Sequence, residues 1–351
     1  MTWMSWRQVR SGAFAAFGIL VAIVVTLGFT GVHLSNLYAD YRSCSGFTCG
    51  SSFNAVTRSY HHVRWVGALL ILVPAFVGIF WGAPLVAREL ETGTFRLAWA
   101  QGVSRERWLT SRLVVSGVVS AVTTGALTFA FTWWAIPIDR LQHNRLDPSV
   151  FAERGIVPVA YALFAFALGT AVGTVLRRTM AAMAVTLVGF TAARVVTQIY
   201  VRPHLLSPLT KVVPLNAQLG IGIDRTTAGL HLVPDGTPKL PGAWVTGNRI
   251  VDSAGHGPTT AYVNHACQSL LAHTPPPGTG GPGPKGRPID GPAFQAMQEC
   301  LNNLSARFHE VVSYQPASRF WELQWLESAI FLGAAALLVS LSVFWVRRRL
   351  V

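Results

Sequence analysis

Residues 88–109 hold a dense run of polar and aromatic side chains. Arg88, Glu89 and Glu91 come first, then Thr92 and Thr94 around Gly93, then Phe95, Arg96 and Trp99, and finally Ser104, Arg105, Glu106, Arg107 and Trp108. No nucleophile with its base stands among them, and no metal-ligand spacing. The pattern is that of a docking element. Thr92 and Thr94 flank Gly93 and can cap a new helix. Residues 94–100 read as that short helix, with Phe95, Ala98 and Trp99 on one side. Gly102 breaks it, and Ser104 caps the next one. Exposed Phe and Trp on a short helix fit the groove of a partner. Arg and Trp also suit a helix lying on a lipid surface. Glu89 and Glu91 are placed to pair with Arg96 or Arg105, or with a basic side chain from outside the chain.

No other segment offers catalytic chemistry. The pattern G-x-x-x-x-G-K-[ST] is absent, and so is any Gly-Lys dipeptide. There is no H-E-x-x-H, no C-x-x-C pair and no G-x-S-x-G elbow. We therefore assign no catalytic residue and no metal site, and expect no cofactor on this chain.

The elements around residues 88–109 explain the rest of the composition. Of 351 residues, 51% are hydrophobic and only 12% charged, about half the charge of a soluble chain. Mean hydropathy is +0.40. Residues 11–39, 65–87, 113–138, 155–176 and 328–346 contain no Asp, Glu, Lys or Arg, and 179–201 contains only Arg194. About 20 helical residues cross a hydrocarbon core, and only helices satisfy their own backbone there. The expectation is an all-α, polytopic membrane protein with six transmembrane helices.

Basic residues set the topology. With the N-terminus inside, the short inner segments hold twelve: Arg7, Arg10, Arg88, Arg96, Arg105, Arg107, Arg112, Arg177, Arg178 and Arg347 to Arg349. The two short outer loops hold six: Arg42, Arg58, Arg64, Arg140, Arg145 and Arg154. The positive-inside rule puts both termini and residues 88–111 in the cytoplasm. The net charge of +13 is then a topology signal and needs no nucleic acid; no basic stripe interleaved with aromatics occurs. All ten histidines, the pair His61–His62 among them, fall at or outside the outer interface and read as solvated loop residues. Trp3, Trp6, Trp108 and Trp345 fall near the inner interface, and Trp65, Trp133, Trp134, Trp321 and Trp325 near the outer one. Arginine outnumbers lysine 25 to 3, which fits a GC-rich bacterial, actinobacterial genome.

Three segments follow along the chain: residues 1–201 with helices one to five and the coupling segment 88–111, residues 202–326 as a large extracytoplasmic loop between helices five and six, and residues 327–351 with helix six and a basic tail. Residues 35–64 read as an outer loop. Pro74 and Pro84 should kink helix two. Pro158 fits the first turn of helix four, and Arg177–Arg178 makes a tight turn. Gly169 and Gly173 make a small-x-x-x-small pair suited to helix packing. Residues 205–223, broken by Pro208 and Pro214, suggest a partly buried or re-entrant piece. Residues 274–292, rich in Pro and Gly, carry no regular structure. Residues 292–313 read as a helix on the spacing of Phe294, Met297, Leu301, Leu304 and Phe308.

Four cysteines lie in outer loops, which reads as two disulfides in an oxidising compartment. Three connectivities exist. Cys44–Cys49 with Cys267–Cys300 needs the least chain closure, and four free thiols remain the alternative. Arg194 lies about 10 Å deep in helix five, with Thr191 and Gln198 at i−3 and i+4. An intramembrane charge is a functional candidate, with Glu327 as its partner; the alternative is snorkelling to the headgroups.

The string E-x-E-x-G-T-x-R-L-x-W-x-Q-x-x-x-R-x-R-W-L at 89–109 resembles the integral membrane (permease) subunits of bacterial type-2 ATP-binding-cassette exporters, most closely an actinobacterial group. So do Leu176-Arg177-Arg178-Thr179, the stretch from Tyr314 to Trp321, and Trp345-Val346-Arg347-Arg348-Arg349. The resemblance implies a transmembrane exporter subunit in the bacterial cell membrane, working as a dimer, here a homodimer. ATP and Mg would sit on a separate ATPase subunit, so the chain itself would be no enzyme. It implies that Glu89, Glu91, Gly93, Thr94, Phe95, Arg96 and Trp99 couple to that ATPase. The cargo would be apolar or amphipathic: a drug, antibiotic or lipid. The loop before helix six is longer than the short re-entrant hairpin of simpler members. The alternative is a membrane-anchored receptor or binding protein that acts through that loop. A secondary transporter would need intramembrane carboxylates, which the six blocks lack.

Overall fold

The computed structural model describes residues 2–45, 48–93, 104–142, 145–215, 221–226, 229–234, 240, 242–273 and 292–349. They form two compact units, Met1–Leu206 with Ser318–Val351, and Ser207–Ala317.

The first unit is helical. Six helices are long and apolar enough to cross a membrane: Val21–Ser43, Cys49–Thr92, Glu106–Leu141, Val157–Leu176, Thr179–His204 and Ala317–Arg348, here spans one to six. Much of the loop expected over 35–64 is in fact helix. Span one continues to Ser43, and a helix over Thr48–Val63 makes up the first part of span two. That helix is amphipathic: Val56 and Tyr60 are buried against span one and span three, while most of its other described side chains stay exposed or half-buried. At 44 residues, Cys49–Thr92 is about 66 Å long, twice the hydrocarbon thickness.

Span four is the most buried of the six, and its contact with span two is backbone against backbone. A Cβ built on Gly169 would lie 2.4 Å from the Gly78 carbonyl oxygen and 2.6 Å from the Ala83 nitrogen. One on Gly82 would meet the Phe166 oxygen at 2.6 Å, and one on Gly173 the Ala83 oxygen at 2.7 Å. Both helices thus carry a glycine pair four residues apart, the spacing that lets membrane helices approach closely. Pro74 lacks the N–H that an α-helix needs, and a π-helical turn follows over Val77–Gly82. Pro84 falls in the first turn of the helix that resumes at Ala83, where its missing donor does no harm.

The second unit departs from the all-α expectation. Strand β1 (Leu209–Pro214), β2 (Ile221–Thr226), β3 (Gly229–Pro234), β4 (Trp244–Asp252) and β5 (Phe308–Gln315) make two antiparallel sheets, ordered β1-β5-β4 and β2-β3. Within 205–223 the described residues supply β1 and the start of β2, not a re-entrant piece: the short run from Leu209 to Pro214 pairs with β5. The helix expected over 292–313 ends at Ser305. Phe308 and Val312 continue its spacing of four, but on a strand they share one face with Glu310. Helices Thr260–Ala266, Gln268–His273 and Pro292–Ser305 pack Val263, Leu270, Leu301 and Leu304 into the core with Ile250 and Phe308. Cys267–Cys300 closes at the centre of this core, and Cys44–Cys49 ties span one to the helix after it. The first closes a loop of 33 residues, a constraint on the unfolded chain of about 3–4 kcal/mol in the chain-entropy account. The expected run 274–291 lies outside the described residues.

Gly169→Val should force spans two and four apart. Both obstacles are backbone, so no rotamer relieves the clash, and the loss should reach the upper end of the about 1–3 kcal/mol typical of overpacking. Thermal unfolding in detergent measures it, with Gly333→Val as control, where a Cβ meets nothing within 4 Å. Equal melting of the two variants would overturn the close-contact account.

Candidate functional site

Polar side chains gather in two layers, one at each end of the helices: half-buried to exposed at the Gly93 end, buried at the Gly155 end. At the Gly93 end, span two stops because Gly93 takes a left-handed conformation, φ 73°. One turn earlier Glu89 forms an ion pair with Arg112 of span three. The Arg112 guanidinium also lies 4.9 Å over the Trp108 ring. Trp108 is buried among Val86, Leu109, Leu113, Phe166 and Val346. Span three starts as expected: the Ser104 hydroxyl accepts from the Arg107 N–H at 3.3 Å. Glu91 reaches the next turn of the bundle. One of its carboxylate oxygens accepts from the Thr179 N–H at 2.9 Å and the Thr179 hydroxyl at 2.7 Å, so span five is capped by a carboxylate from span two. The sequence allows Glu89 and Glu91 to pair with Arg96 or Arg105, or with a basic side chain from outside the chain. Among the described residues Glu89 reaches Arg112 of span three, and Glu91 reaches Thr179 after the turn at Arg177–Arg178. Of the expected coupling residues, Thr94, Phe95, Arg96 and Trp99 lie outside the described residues.

At the Gly155 end, Glu327 of span six is fully buried. Its carboxylate accepts from Arg202 Nε at 2.7 Å and Nη2 at 2.9 Å, and from the Tyr161 hydroxyl. Arg202 Nη2 also lies 3.2 Å from the Tyr161 oxygen, and its guanidinium 4.3 Å from the Phe151 ring. Arg194 stacks its guanidinium 3.8 Å over the Tyr161 ring. The layer thus sets two guanidinium groups against one carboxylate. One nitrogen of each, Arg194 Nη1 and Arg202 Nη1, is buried without a hydrogen-bond partner.

One turn before Glu327, Gln324 stitches the layer to the chain around Gly155. Its Oε1 accepts from the Ile156 and Val157 N–H groups, both at 3.0 Å. Its Nε2 donates to the Phe151 and Arg154 carbonyls at 3.3 and 3.1 Å. Gly155, φ 72°, leaves room: a Cβ there would meet Gln324 Oε1 at 2.6 Å. Beside it, buried Asp139 pairs with Arg154 and, at 3.2 Å, with Arg145. Burial pulls the Arg154 guanidinium down to about 10. Burial also pushes the Glu153 carboxyl up to about 7, reinforced by Asp147 and opposed by Arg64.

Of the intramembrane set read from sequence, the structure gathers Arg194 and Glu327 around Tyr161 and leaves Thr191 exposed and Gln198 half-buried. The direct partner of Glu327 is Arg202, not Arg194. Arg202 is the first charge after the apolar block 179–201, and that position was the available signal. Tyr161 and Gln324 gave none, since neither changes a block's apolar count enough to stand out.

Two outcomes follow. Glu327→Gln leaves both guanidinium groups without their counter-charge, so it should destabilise the protein by about 3 kcal/mol or more. Tyr161→Phe, which removes the hydroxyl's bonds to Glu327 and Arg202 but leaves the ion pair, should cost about 1–2 kcal/mol. Thermal melts in detergent separate them, and similar losses for the two would refute the ion-pair account. For Glu153, the folded state holds a proton between its unfolded value near 4.5 and about 7, where the unfolded chain does not. Stability is therefore greatest below 4.5 and falls as pH rises through 7. Glu153→Gln should remove that slope and melt higher than the parent at pH 8; a parent-like slope would sink the assignment.

A family model described as ABC-2 membrane transporter related matches residues 17–202. That range takes in spans one to four and span five as far as Arg202, with Glu89, Glu91, Arg112, Tyr161 and Arg194. No curated protein and no solved structure matches the chain. Glu327 and Gln324 stand outside the matched range, yet they close the layer that Tyr161 and Arg202 begin. With six membrane-length helices and a match over more than half of its length, the chain is a multi-pass membrane protein of the ABC-2 membrane transporter related family.

Proposed function

We propose that this chain is the transmembrane subunit of an ATP-binding-cassette exporter of the bacterial cell membrane, of the actinobacterial group, and works as a homodimer. A separate ATPase subunit binds ATP and Mg and hydrolyses the nucleotide; this chain catalyses nothing. Its cargo is apolar or amphipathic: a drug, antibiotic or lipid.

One observation carries the coupling assignment. Residues 94–103 join two helices that are clamped to each other by Glu89 and Arg112 and tied to span five by Glu91. A push on that segment has direct mechanical purchase on spans two, three and five. Phe95 and Trp99 supply the apolar anchors for a groove on the ATPase.

The orientation has its own support. Cys44–Cys49 follows span one and Cys267–Cys300 lies between spans five and six. An even number of crossings separates the two pairs, so both belong on one side, and disulfides fit the oxidising side. That side is extracytoplasmic, which leaves both termini and residues 88–111 in the cytoplasm, as the arginine distribution requires. Ser207–Ala317 is then an extracytoplasmic domain.

Trp99→Ala should weaken ATPase docking by about 2 kcal/mol or more, as an interface hot spot does. Glu91→Gln should leave assembly largely intact and reduce transport, because it loosens only the cap on span five. Pull-down of the ATPase subunit and efflux from cells measure the two effects. If Trp99→Ala assembles and transports like the parent, residues 94–100 lie on lipid instead.

A further inference from the structure

A cleft of about 500 Å³ lies between spans one and three, near the ends marked by Ser43 and Arg140. Arg42 and Arg140 flank it, with Tyr38, Trp133, Ser35 and Ser43 among the other walls. Both arginines are exposed, and no carboxylate lines the cleft. The nearest acids in sequence are otherwise placed. Asp139 is buried against Arg154 and Arg145, and Asp40 forms no part of the wall.

One wall residue, Trp133, is positioned by a glycine. Gly31 lets Trp133 lie against span one: a Cβ there would meet the indole at 2.8 Å. On span one the wall then follows helical spacing through Ser35, Tyr38 and Arg42. On span three it runs through Trp133, Pro137 and Arg140. Below the arginines the same spacing reaches only apolar groups: Gly28, Val24 and Val21 on span one, Phe129 and Val122 on span three. Phe129 is 76% exposed and Val122 64%. A Cβ on Gly28 would meet nothing within 4 Å.

We propose that this cleft holds the headgroup of an anionic phospholipid of the bilayer, with its acyl chains lying along the apolar seam beneath. Two exposed cations, with no carboxylate among the described residues of the wall, match a phosphate. Tyr38 and Trp133 suit the headgroup level. The seam supplies what a free phosphate would not use. Arg42 adjoins the Cys44–Cys49 pair, so the orientation proposed above, on which the choice of leaflet rests, places this lipid in the outer leaflet. Such a lipid would lodge between spans one and three.

Native mass spectrometry of the full-length protein in detergent, offered equal dioleoyl phosphatidylglycerol and dioleoyl phosphatidylcholine, tests this independently of orientation and of any ATPase. The parent should retain the anionic lipid in preference by roughly tenfold, on the scale of basic residues near anionic headgroups. R42Q/R140Q should lose the preference, and R42K/R140K should keep most of it. R58Q, which changes a neighbouring cleft, should leave it intact. Equal retention of both lipids by the parent overturns the proposal, as does an unchanged preference in R42Q/R140Q. Displacement of the lipid by millimolar inorganic phosphate would assign the cleft to a soluble anion and would also overturn it.

Discussion

Inside a hydrocarbon layer no polar group can fall back on water. Each must be satisfied within the protein or moved to the edge of the layer. The first unit obeys this almost everywhere. Hydroxyls within the spans bond back to their own helices, as Thr128 does to Thr124 and Thr186 to Ala182. Ionised groups stand near the ends. Glu89, Glu91 and Arg112 lie at one end, and Arg194, Arg202, Glu327, Asp139 and Arg154 toward the other. The length of span four, about 30 Å for its 20 residues, keeps the two layers apart.

What joins them is packing. The glycines of spans two and four bring backbone onto backbone, and a contact without side chains has little freedom to slide. Span two thus carries Glu89 and Glu91 at its end and is locked along its middle to the helix that bears Tyr161. The π-helical turn at Val77–Gly82 lies within this contact, and the Thr170 hydroxyl approaches the Gly82 carbonyl at 3.4 Å as well as bonding its own Phe166 at 2.9 Å. Movement of span two at the Gly93 end would therefore be felt as movement of the pair, not of one helix.

The sequence made some of this legible and hid the rest for identifiable reasons. Charge-free blocks marked the six spans, because the hydrocarbon core excludes charge regardless of which helix touches which. The small residues Gly169 and Gly173 pointed to close packing, although not to Gly78 and Gly82 as the other half. The polar layers were harder. Glu89 takes Arg112, Glu91 takes Thr179, Gln324 takes Ile156 and Glu327 takes Arg202, at separations of 23, 88, 168 and 125 residues. Such pairs are decided by helix packing, which local spacing does not encode. In the second unit Leu304 and Phe308 kept a helical interval across a boundary where the chain turns into a strand, so period alone misread residues 308–313.

Span five shows how a local irregularity builds a site. Arg194 and Arg202 are eight residues apart. In an uninterrupted α-helix that interval advances each position by about 100°, leaving the two side chains about 80° out of line. The π-helical turn at Thr197–Val201 intervenes. Its extra residue removes about 100° of the advance, so the offset falls to about 20° and both guanidinium groups meet Tyr161. The same helix begins at Thr179 under the Glu91 carboxylate, about 35 Å away at 1.5 Å per residue. One helix therefore holds a cap from span two at its first turn and the counter-charges of span six at its last, and the π-helical turn sets the angle between the two.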